Sequence, residues 1–174
     1  MSRLRRIEDQ DRIFFVTTNL AQGLDLLSPR ERRLLLEQLA RQRTADEFLL
    51  FGYVIMPSHV HLLVAPTGCG LAALMREFKS CGGQQLTRLR GARGPVWQPR
   101  YFDFILRRVG DFWEKLEYIH NNPVEAKLVS RPEDWLWSSA SHYAHTTAPP
   151  VSVDSVHLPA DRTAWLYPAP WRPL

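Results

Sequence analysis

The sequence predicts an α+β fold, a ferredoxin-like split βαβ unit in which helices pack on an antiparallel sheet. Two observations predict it. Segments with strand and helix patterns follow one another as strand, helix, strand, strand, helix, strand, helix, and the first six match the order of that unit. The second and third strands are almost continuously apolar, as central strands of a sheet are. The last helix carries a tyrosine and precedes an extended, proline-rich tail.

Four strands are expected from runs of β-branched, aromatic and aliphatic residues. They cover residues 12–18, 48–55, 59–65 and 102–107. Pro57 and Ser58 interrupt the apolar run between the second and third strands, so these two strands are expected to form a hairpin. The fourth run alternates only weakly between apolar and polar residues.

Three helices are expected at residues 29–43, from 71 toward 89, and from 111 onward. Ser28 is a suitable N-cap for the first helix, and Pro29 fits its first turn. The pair Asp111 and Glu114 has the spacing of a capping box, which predicts that the third helix opens there. Pro123 is expected to end or kink that helix at the preceding residue.

The length of 174 residues fits one domain with a tail, here placed at residues 1–145 and 146–174. Six prolines from residue 146 onward predict that the tail is extended. Its aromatic residues Trp165, Tyr167 and Trp171 could anchor it. We hypothesise from this that the tail folds over a functional groove or site of the domain.

Several classes of protein are excluded. No apolar stretch of about 18 residues is present, so no membrane span is predicted. The basic N-terminus lacks the apolar segment of a secretory signal, which predicts a cytoplasmic protein. Cys69 and Cys81 are the only cysteines, and their spacing favours free thiols over a disulfide.

The chain is basic, with a net charge of +4 and a pI of about 9.4, and only three of its 22 basic residues are lysines. Arginine is concentrated between residues 88 and 108, where aromatic residues are interleaved and Asp103 is the one acid. Guanidinium groups bind phosphates and aromatic rings stack on bases, which suits single-stranded nucleic acid. The alternative is a solvated basic surface with ordinary core aromatics.

His59 and His61 lie two residues apart in a predicted strand, so both side chains project from the same face. Neutral imidazole is a common metal ligand. Imidazoles within an apolar strand are unfavourable without polar partners, which favours a shared metal ion over a structural pair. These two residues alone do not decide between a metal site and a structural pair.

Tyr118 and Asn122 are one turn apart in the third helix. The apolar stripe of this helix consists of Phe112, Leu116 and Ile119, and Tyr118 lies roughly 120° from it at 100° per residue. Tyr118 is therefore free to act outside the core, beside the Asn122 carboxamide. The alternative is a surface tyrosine followed by an Asn-Pro helix end.

Three segments together resemble the REP-associated tyrosine transposases, the single-tyrosine branch of the His-hydrophobe-His (HUH) DNA-nicking superfamily. The resemblance covers roughly residues 10–145, and the tail lies outside it. The segments are MPSHVHLLV at 56–64, VWQPRYFDFILR at 96–107 and YIHNNPVEAKLV at 118–129.

The resemblance implies that Tyr118 is the nucleophile and that His59, His61 and Asn122 bind a divalent ion, Mg²⁺ or Mn²⁺. It implies a transposase that binds, nicks and rejoins single-stranded DNA at hairpins of repetitive extragenic palindromes, through a 5′-phosphotyrosine. The protein would act in the cytoplasm at the nucleoid, as a monomer in preference to a homodimer. The candidate DNA contacts are Arg88, Arg93, Trp97, Gln98, Arg100, Asp103 and Arg107.

One position departs from the pattern: Ser58 stands where relatives often carry asparagine. Serine also forms local hydrogen bonds, so this change is not expected to inactivate the site. His120 and Asp103 are candidate general bases, although His120 is expected to pack or bond locally. Two rival functions remain, a hairpin-DNA-binding regulatory or architectural protein that does not cut, and a zinc-dependent hydrolase unrelated to DNA.

Overall fold

The structure is a computed structural model that describes residues 12–44, 48–68, 70–91, 93–167 and 172–173. Cys69 and Trp171 lie outside these residues. The strands are β1 (Phe14–Asn19), β2 (Phe48–Ile55), β3 (His59–Pro66), β4 (Phe102–Ile105), β5 (Val156–His157) and β6 (Arg172–Pro173). The helices are α1 (Pro29–Thr44), α2 (Leu71–Arg90), α3 (Val109–Glu125) and α4 (Ala140–Tyr143), with a 3₁₀ turn at Pro132–Asp134. No helix among the described residues is long and apolar enough to span a membrane.

The main sheet has the strand order β2-β3-β1-β4, and every neighbouring pair is antiparallel. Each βαβ connection therefore leaves room for one strand between the two strands that it joins, as in a split βαβ unit. The predicted α+β, ferredoxin-like fold class is confirmed.

The two faces of the sheet support two separate cores. One face packs against α1 and α2, with Phe14 and Val16 from β1 in that core. The other packs against α3, with Ile13 and Phe15 facing it. Because successive side chains of a strand point to opposite faces, the parity of a residue decides which core it joins. His59 and His61 share the parity of Leu63, which belongs to the α3 face.

Gly52 marks the place where α3 approaches the sheet most closely. The pairing of β2 with β3 shifts register between Leu50 and Gly52, as at a β-bulge. A Cβ atom added at Gly52 would lie 2.7 Å from Cδ1 of Leu116, a buried residue of α3. The absence of a side chain at Gly52 therefore sets how near the tyrosine-bearing helix lies to the sheet.

Gly52→Ala is expected to lower the free energy of unfolding by about 1–3 kcal/mol, because Leu116 must move in a packed core. Urea denaturation measures the change. Gly83→Ala is the matched control, since a Cβ there meets nothing nearer than Trp97 at 3.4 Å, and alanine is the better helix former by up to about 1 kcal/mol. Equal stability of Gly52→Ala and wild type would show that α3 does not depend on this close approach.

The structure corrects two predictions about α3. The helix begins at Val109, and Asp111 is its N3 residue; the Asp111 carboxylate accepts hydrogen bonds from the backbone N–H groups of Arg107 and Arg108 at 2.8 and 2.9 Å. Of the two outcomes expected at Pro123, an end or a kink, the end does not occur, because the helix continues to Glu125. Proline there removes only one hydrogen bond, close to the helix end, so the local cost is small.

The described part of the segment after residue 146 packs along the end of the sheet remote from His59. Two hydrogen bonds join Asp154 to Leu50 of β2. The Asp154 N–H donates to the Leu50 carbonyl at 2.7 Å, and the Leu50 N–H donates to the Asp154 carboxylate at 2.7 Å. Carbonyl groups of Arg162 and Ala164 accept hydrogen bonds from the first N–H groups of α3. The hypothesis that this tail covers the active site is therefore not supported for the described residues. The proposed boundary between residues 145 and 146 stays a prediction.

Candidate active site

His59 and His61 lie at the start of β3, in the middle of the sheet and on the face that α3 covers. In the register of β1 and β3, His61 lies opposite Thr17 and His59 opposite Asn19. The two imidazole centroids are 4.6 Å apart. The predicted convergence of the two histidines on one face is observed.

A hydroxyl group holds each imidazole through Nδ1. Thr17 Oγ1 lies 2.8 Å from Nδ1 of His61, and Ser58 Oγ lies 2.9 Å from Nδ1 of His59. In the His61 tautomer whose Nδ1–H donates to the Thr17 hydroxyl, Nε2 keeps a free lone pair. In neutral His59, Nε2 carries the hydrogen when it donates to Asn122 Oδ1, and Nδ1 then accepts from the Ser58 hydroxyl. Ser58 thus forms the local hydrogen bond that was expected of serine at this position.

The Nε2 atom of His61 is buried and has no hydrogen-bond partner, and only 3% of the residue is exposed. An unpartnered buried nitrogen is unfavourable unless a ligand satisfies it. The ring also stacks on Phe15, with centroids 5.2 Å apart. Packing and the Thr17 contact therefore hold this imidazole in place with Nε2 unused.

Tyr118 and Asn122 on α3 complete the cluster. Oδ1 of Asn122 lies 3.2 Å from Nε2 of His59. The Tyr118 ring is 5.3 Å from the His61 ring and 5.8 Å from Phe15, centroid to centroid, and 41% of Tyr118 is exposed. Helix geometry thus places the phenol at the surface, next to the histidines and one turn before the amide.

Both histidines have pKa values below the ordinary value for imidazole. Burial is the main cause for His61, with the neighbouring His59 adding to it, and its pKa falls to about 3. Burial also lowers the pKa of His59, although the Asn122 hydrogen bond acts in the opposite direction. Neutral imidazoles are the form that binds metal, so at neutral pH the pair is ready to do so.

These donors fit a divalent ion. Two imidazole nitrogens and one amide oxygen converge, and one nitrogen is an orphan in a buried position. No group of three His, Cys, Asp or Glu side chains suited to a metal occurs within the described ranges. The further donor beside the two imidazoles is the carboxamide oxygen of Asn122. This set differs from the His, Asp or Glu third ligand that the zinc-hydrolase alternative requires.

An open groove of about 480 Å³ lies against the cluster. Sequence reasoning missed five residues that line it, namely Phe15, Thr17, Asn19, Phe102 and Lys115. Lys115 precedes Tyr118 by three residues on α3, and this spacing was visible in the sequence. Phe15 and Asn19 share the parity of Thr17, but only the pairing of β1 with β3 brings them to the histidines.

Comparisons with known proteins agree with this geometry, although no family model matches the chain. The REP-associated tyrosine transposase of Escherichia coli K12 is 27% identical over 141 residues, 80% of this chain and 82% of that protein. A relative of the same family name from Haemophilus influenzae is 29% identical over 96 residues, 49% of this chain and 54% of its own. A solved structure of the REP-associated tyrosine transposase bound to a REP hairpin superposes with a TM-score of 0.67 and 25% identity, covering 89% of this chain and 93% of that one.

The chain is similar to the REP-associated tyrosine transposases in both sequence and fold. The resemblance drawn from three sequence segments is confirmed over most of the chain. The segment at 56–64 supplies the two histidines of the cluster, and the segment at 118–129 supplies Tyr118 and Asn122. The segment at 96–107 contains β4, which pairs with β1.

Only part of the third segment, residues 96–107, lies at the site: Phe102 lines the groove, whereas Trp97 and Gln98 do not. Trp97 is 5% exposed and packs against Phe78 with centroids 6.2 Å apart, so its ring faces are not open to a base. A DNA contact by Trp97 is therefore not supported. The backbone N–H of Gln98 donates to the Asn19 carbonyl at 3.0 Å, and Lys79 Nζ donates to the Gln98 carbonyl at 2.7 Å. These contacts tie the segment to β1 and α2.

Neither candidate general base reaches the phenol through its own side chain. Asp103 of β4 lies opposite Val16 of β1, and the side chains of such a pair project from the same face of the sheet. Val16 belongs to the core on the α1 and α2 face, so Asp103 projects away from Tyr118. His120 is buried, with Nε2 2.8 Å from Ser139 Oγ, and burial lowers its pKa to about 4. The expectation that His120 bonds locally is met.

The four arginines predicted to contact DNA are all exposed and lie between the last turn of α2 and the residues just after β4. Arg88 is on the last turn of α2, Arg93 is in the following loop, and Arg100 and Arg107 flank β4. Exposure is what a phosphate contact requires. Their role in DNA binding stays a prediction.

Proposed function

We propose that this protein is a metal-dependent transposase that binds, nicks and rejoins single-stranded DNA through Tyr118. The observation that carries the proposal is the meeting of Tyr118 and the two histidines in one groove. Oδ1 of Asn122 lies 3.2 Å from Nε2 of His59, and Nε2 of His61 is buried and unpartnered. The relationship to transposases supports this reading, and the related structure that contains a REP hairpin favours hairpin DNA of repetitive extragenic palindromes as the substrate. An enzyme acting on such DNA would work in the cytoplasm, at the nucleoid.

In the proposed reaction the Tyr118 oxygen attacks the phosphorus of the scissile phosphodiester. A bond forms between this oxygen and phosphorus, and the bond from phosphorus to the 3′ oxygen breaks. The phenol gives up its proton, and the leaving 3′ oxygen takes up a proton to become a hydroxyl. The 5′-phosphotyrosine keeps the energy of the phosphodiester, so a 3′-hydroxyl can later reverse the step and rejoin the strand.

His59, His61 and Asn122 would hold a divalent ion, Mg²⁺ or Mn²⁺. Such an ion polarises the phosphate and stabilises the charge that develops on it. The protein contributes the positions of the donors: Thr17 and Ser58 orient the imidazoles, and α3 brings the amide to His59. Lys115 adds a positive charge on the groove wall, where it suits a phosphate.

The complete site belongs to one chain. The helix that carries Tyr118 packs on the sheet that carries His59 and His61, and backbone hydrogen bonds from the following segment fasten it there, such as Ile55 N–H to the Trp137 carbonyl at 2.8 Å. A monomer therefore holds the proposed nucleophile and the three proposed metal donors, and we favour a monomer over a homodimer.

The deciding experiment is a cleavage assay on end-labelled single-stranded hairpins from the organism's own repetitive palindromes, with Mn²⁺ or Mg²⁺. We expect a nicked product and an adduct that migrates with the protein under denaturing conditions. Tight hairpin binding with neither product in either metal would instead identify a non-cleaving DNA-binding protein, the alternative function.

Thr17→Val is expected to weaken Mn²⁺ affinity by about 10- to 100-fold, because the hydroxyl that orients His61 is lost. Isothermal titration measures this. Thr18→Val is the matched control: Thr18 is the next residue, fully buried, and its hydroxyl has no partner, so its loss should leave both folding and metal affinity intact. Equal affinities for the two variants would remove Thr17 from the site.

A further inference from the structure

Two phenylalanines stand exposed on the edge strand of the main sheet. Phe102 is 58% exposed and Phe104 is 40% exposed, and both belong to β4, whose other edge has no strand partner among the described residues. Large apolar side chains side by side on a protein surface mark an interaction site more often than chance exposure. Their position on a sheet edge makes the exposure more unfavourable still.

Both rings lie on the face of the sheet that carries the proposed nicking site. Phe102 is opposite Thr17 and Phe104 is opposite Phe15 in the pairing of β4 with β1. The Phe102 ring is 6.5 Å from Phe15, which in turn is 5.8 Å from Tyr118. Phe102 also lines the same groove as Tyr118. A molecule held at Tyr118 would therefore extend over these rings.

The charges around the two rings suit a polyanion. Lys115 Nζ lies 5.7 Å from the Phe104 centroid and 5.8 Å from the Phe15 centroid. Exposed Arg100 and Arg107 stand at the two ends of β4. Asp103, between the two phenylalanines, projects from the opposite face because residues alternate along a strand. Asp103 is thus kept away from the rings, whereas Glu114 pairs with Lys115 Nζ at 2.8 Å, and a phosphate would compete with that carboxylate for the ammonium group.

We propose that Phe102 and Phe104 form a stacking platform for unpaired DNA bases next to the phosphate that Tyr118 attacks. The inference rests on the proposed function and adds to it the two residues that hold the unpaired bases beside the cut. Aromatic rings hold single strands by stacking on base faces, whereas paired bases in a duplex keep those faces covered. The platform therefore selects DNA that is unpaired beside the scissile bond, while the hairpin itself binds elsewhere.

The test uses full-length protein in a Tyr118→Phe background, so that DNA binds without being cut. The probe is a hairpin with a single-stranded flank, labelled with 2-aminopurine at successive flank positions. We expect quenching at one or two adjacent positions, lost in the Phe102→Leu and Phe104→Leu variants, with about tenfold weaker binding for each ring removed. Phe102→Trp keeps an aromatic ring at this position and should retain both the quenching and the affinity that Phe102→Leu loses. Binding of a blunt hairpin without a flank should not change in any variant.

Leu136→Ala is the control for loss of exposed apolar surface, because Leu136 is 68% exposed and borders a different cavity. It should behave as the parent protein. Unchanged quenching and affinity in the double Phe102→Leu, Phe104→Leu variant would overturn the platform. Quenching that needs the two rings, found together with a wild type that never cuts, would support the platform and remove the nicking function. Cutting by wild type with no ring-dependent quenching would remove the platform alone.

Discussion

Tyr118→Phe is expected to abolish the covalent protein–DNA adduct and to lower hairpin cleavage by at least about 1,000-fold, because only the nucleophilic oxygen is lost. The ring contacts of Tyr118 with Phe15 and His61 do not need the hydroxyl, so folding and hairpin affinity should be preserved. Denaturing gels of labelled hairpins measure the adduct, and mass spectrometry of the digested adduct identifies the modified residue.

Tyr143→Phe is the control for this prediction. The hydroxyl of Tyr143 donates to the Phe51 carbonyl at 2.6 Å, so its removal should cost stability of about 1 kcal/mol while the adduct still forms. An adduct formed by the Tyr118→Phe protein would exclude Tyr118 as the nucleophile, whatever the behaviour of the control.

His59→Ala and His61→Ala are each expected to eliminate metal-dependent cleavage, with a loss of at least about 100-fold, because each removes one of three donors. Mn²⁺ should also raise the melting temperature of wild type, since a ligand that binds only the folded state stabilises it. This increase should vanish in both variants. The readout does not depend on activity, and it remains valid if loss of the buried His61 ring lowers stability by itself.

His157→Ala is the matched control, because His157 is exposed and lies in β5, outside the groove. It should keep both cleavage and the Mn²⁺-induced rise in melting temperature. Full activity of either His59→Ala or His61→Ala in Mn²⁺ would rule out the proposed metal site. Loss of cleavage with an unchanged response to Mn²⁺ would place the metal elsewhere and leave the histidines a different role.

Local signals predicted most of the fold. Ser28 and Glu31 form the expected helix start, with the Ser28 N–H donating to the Glu31 carboxylate at 2.7 Å, and β2 has the bounds expected from its apolar run. The start and end of α3 were less predictable. The N-cap is an arginine rather than a typical capping residue, and Pro123 is tolerated because so few helical residues follow it.

Burial was the property that sequence patterns predicted least well. Trp97 lies among arginines and was expected to contact DNA, yet Phe78 and the α2 backbone at Gly83 enclose it. Phe102 and Phe104, in the same stretch, remain exposed. A residue's local neighbours do not reveal this difference, because burial depends on contacts with segments distant in the chain.

The sequence by itself determined the chemistry that is present: two imidazoles at strand spacing, and a phenol and an amide one helical turn apart. It also determined that each pair shares a face, because the periods of strand and helix are fixed by backbone geometry. Only the tertiary structure decided that the two pairs meet. Both faces of β3 are apolar enough to be buried, so alternation alone does not reveal which face α3 will cover. Long-range packing makes that choice, through the room that Gly52 leaves for Leu116 and through the segment that fastens α3 to the sheet.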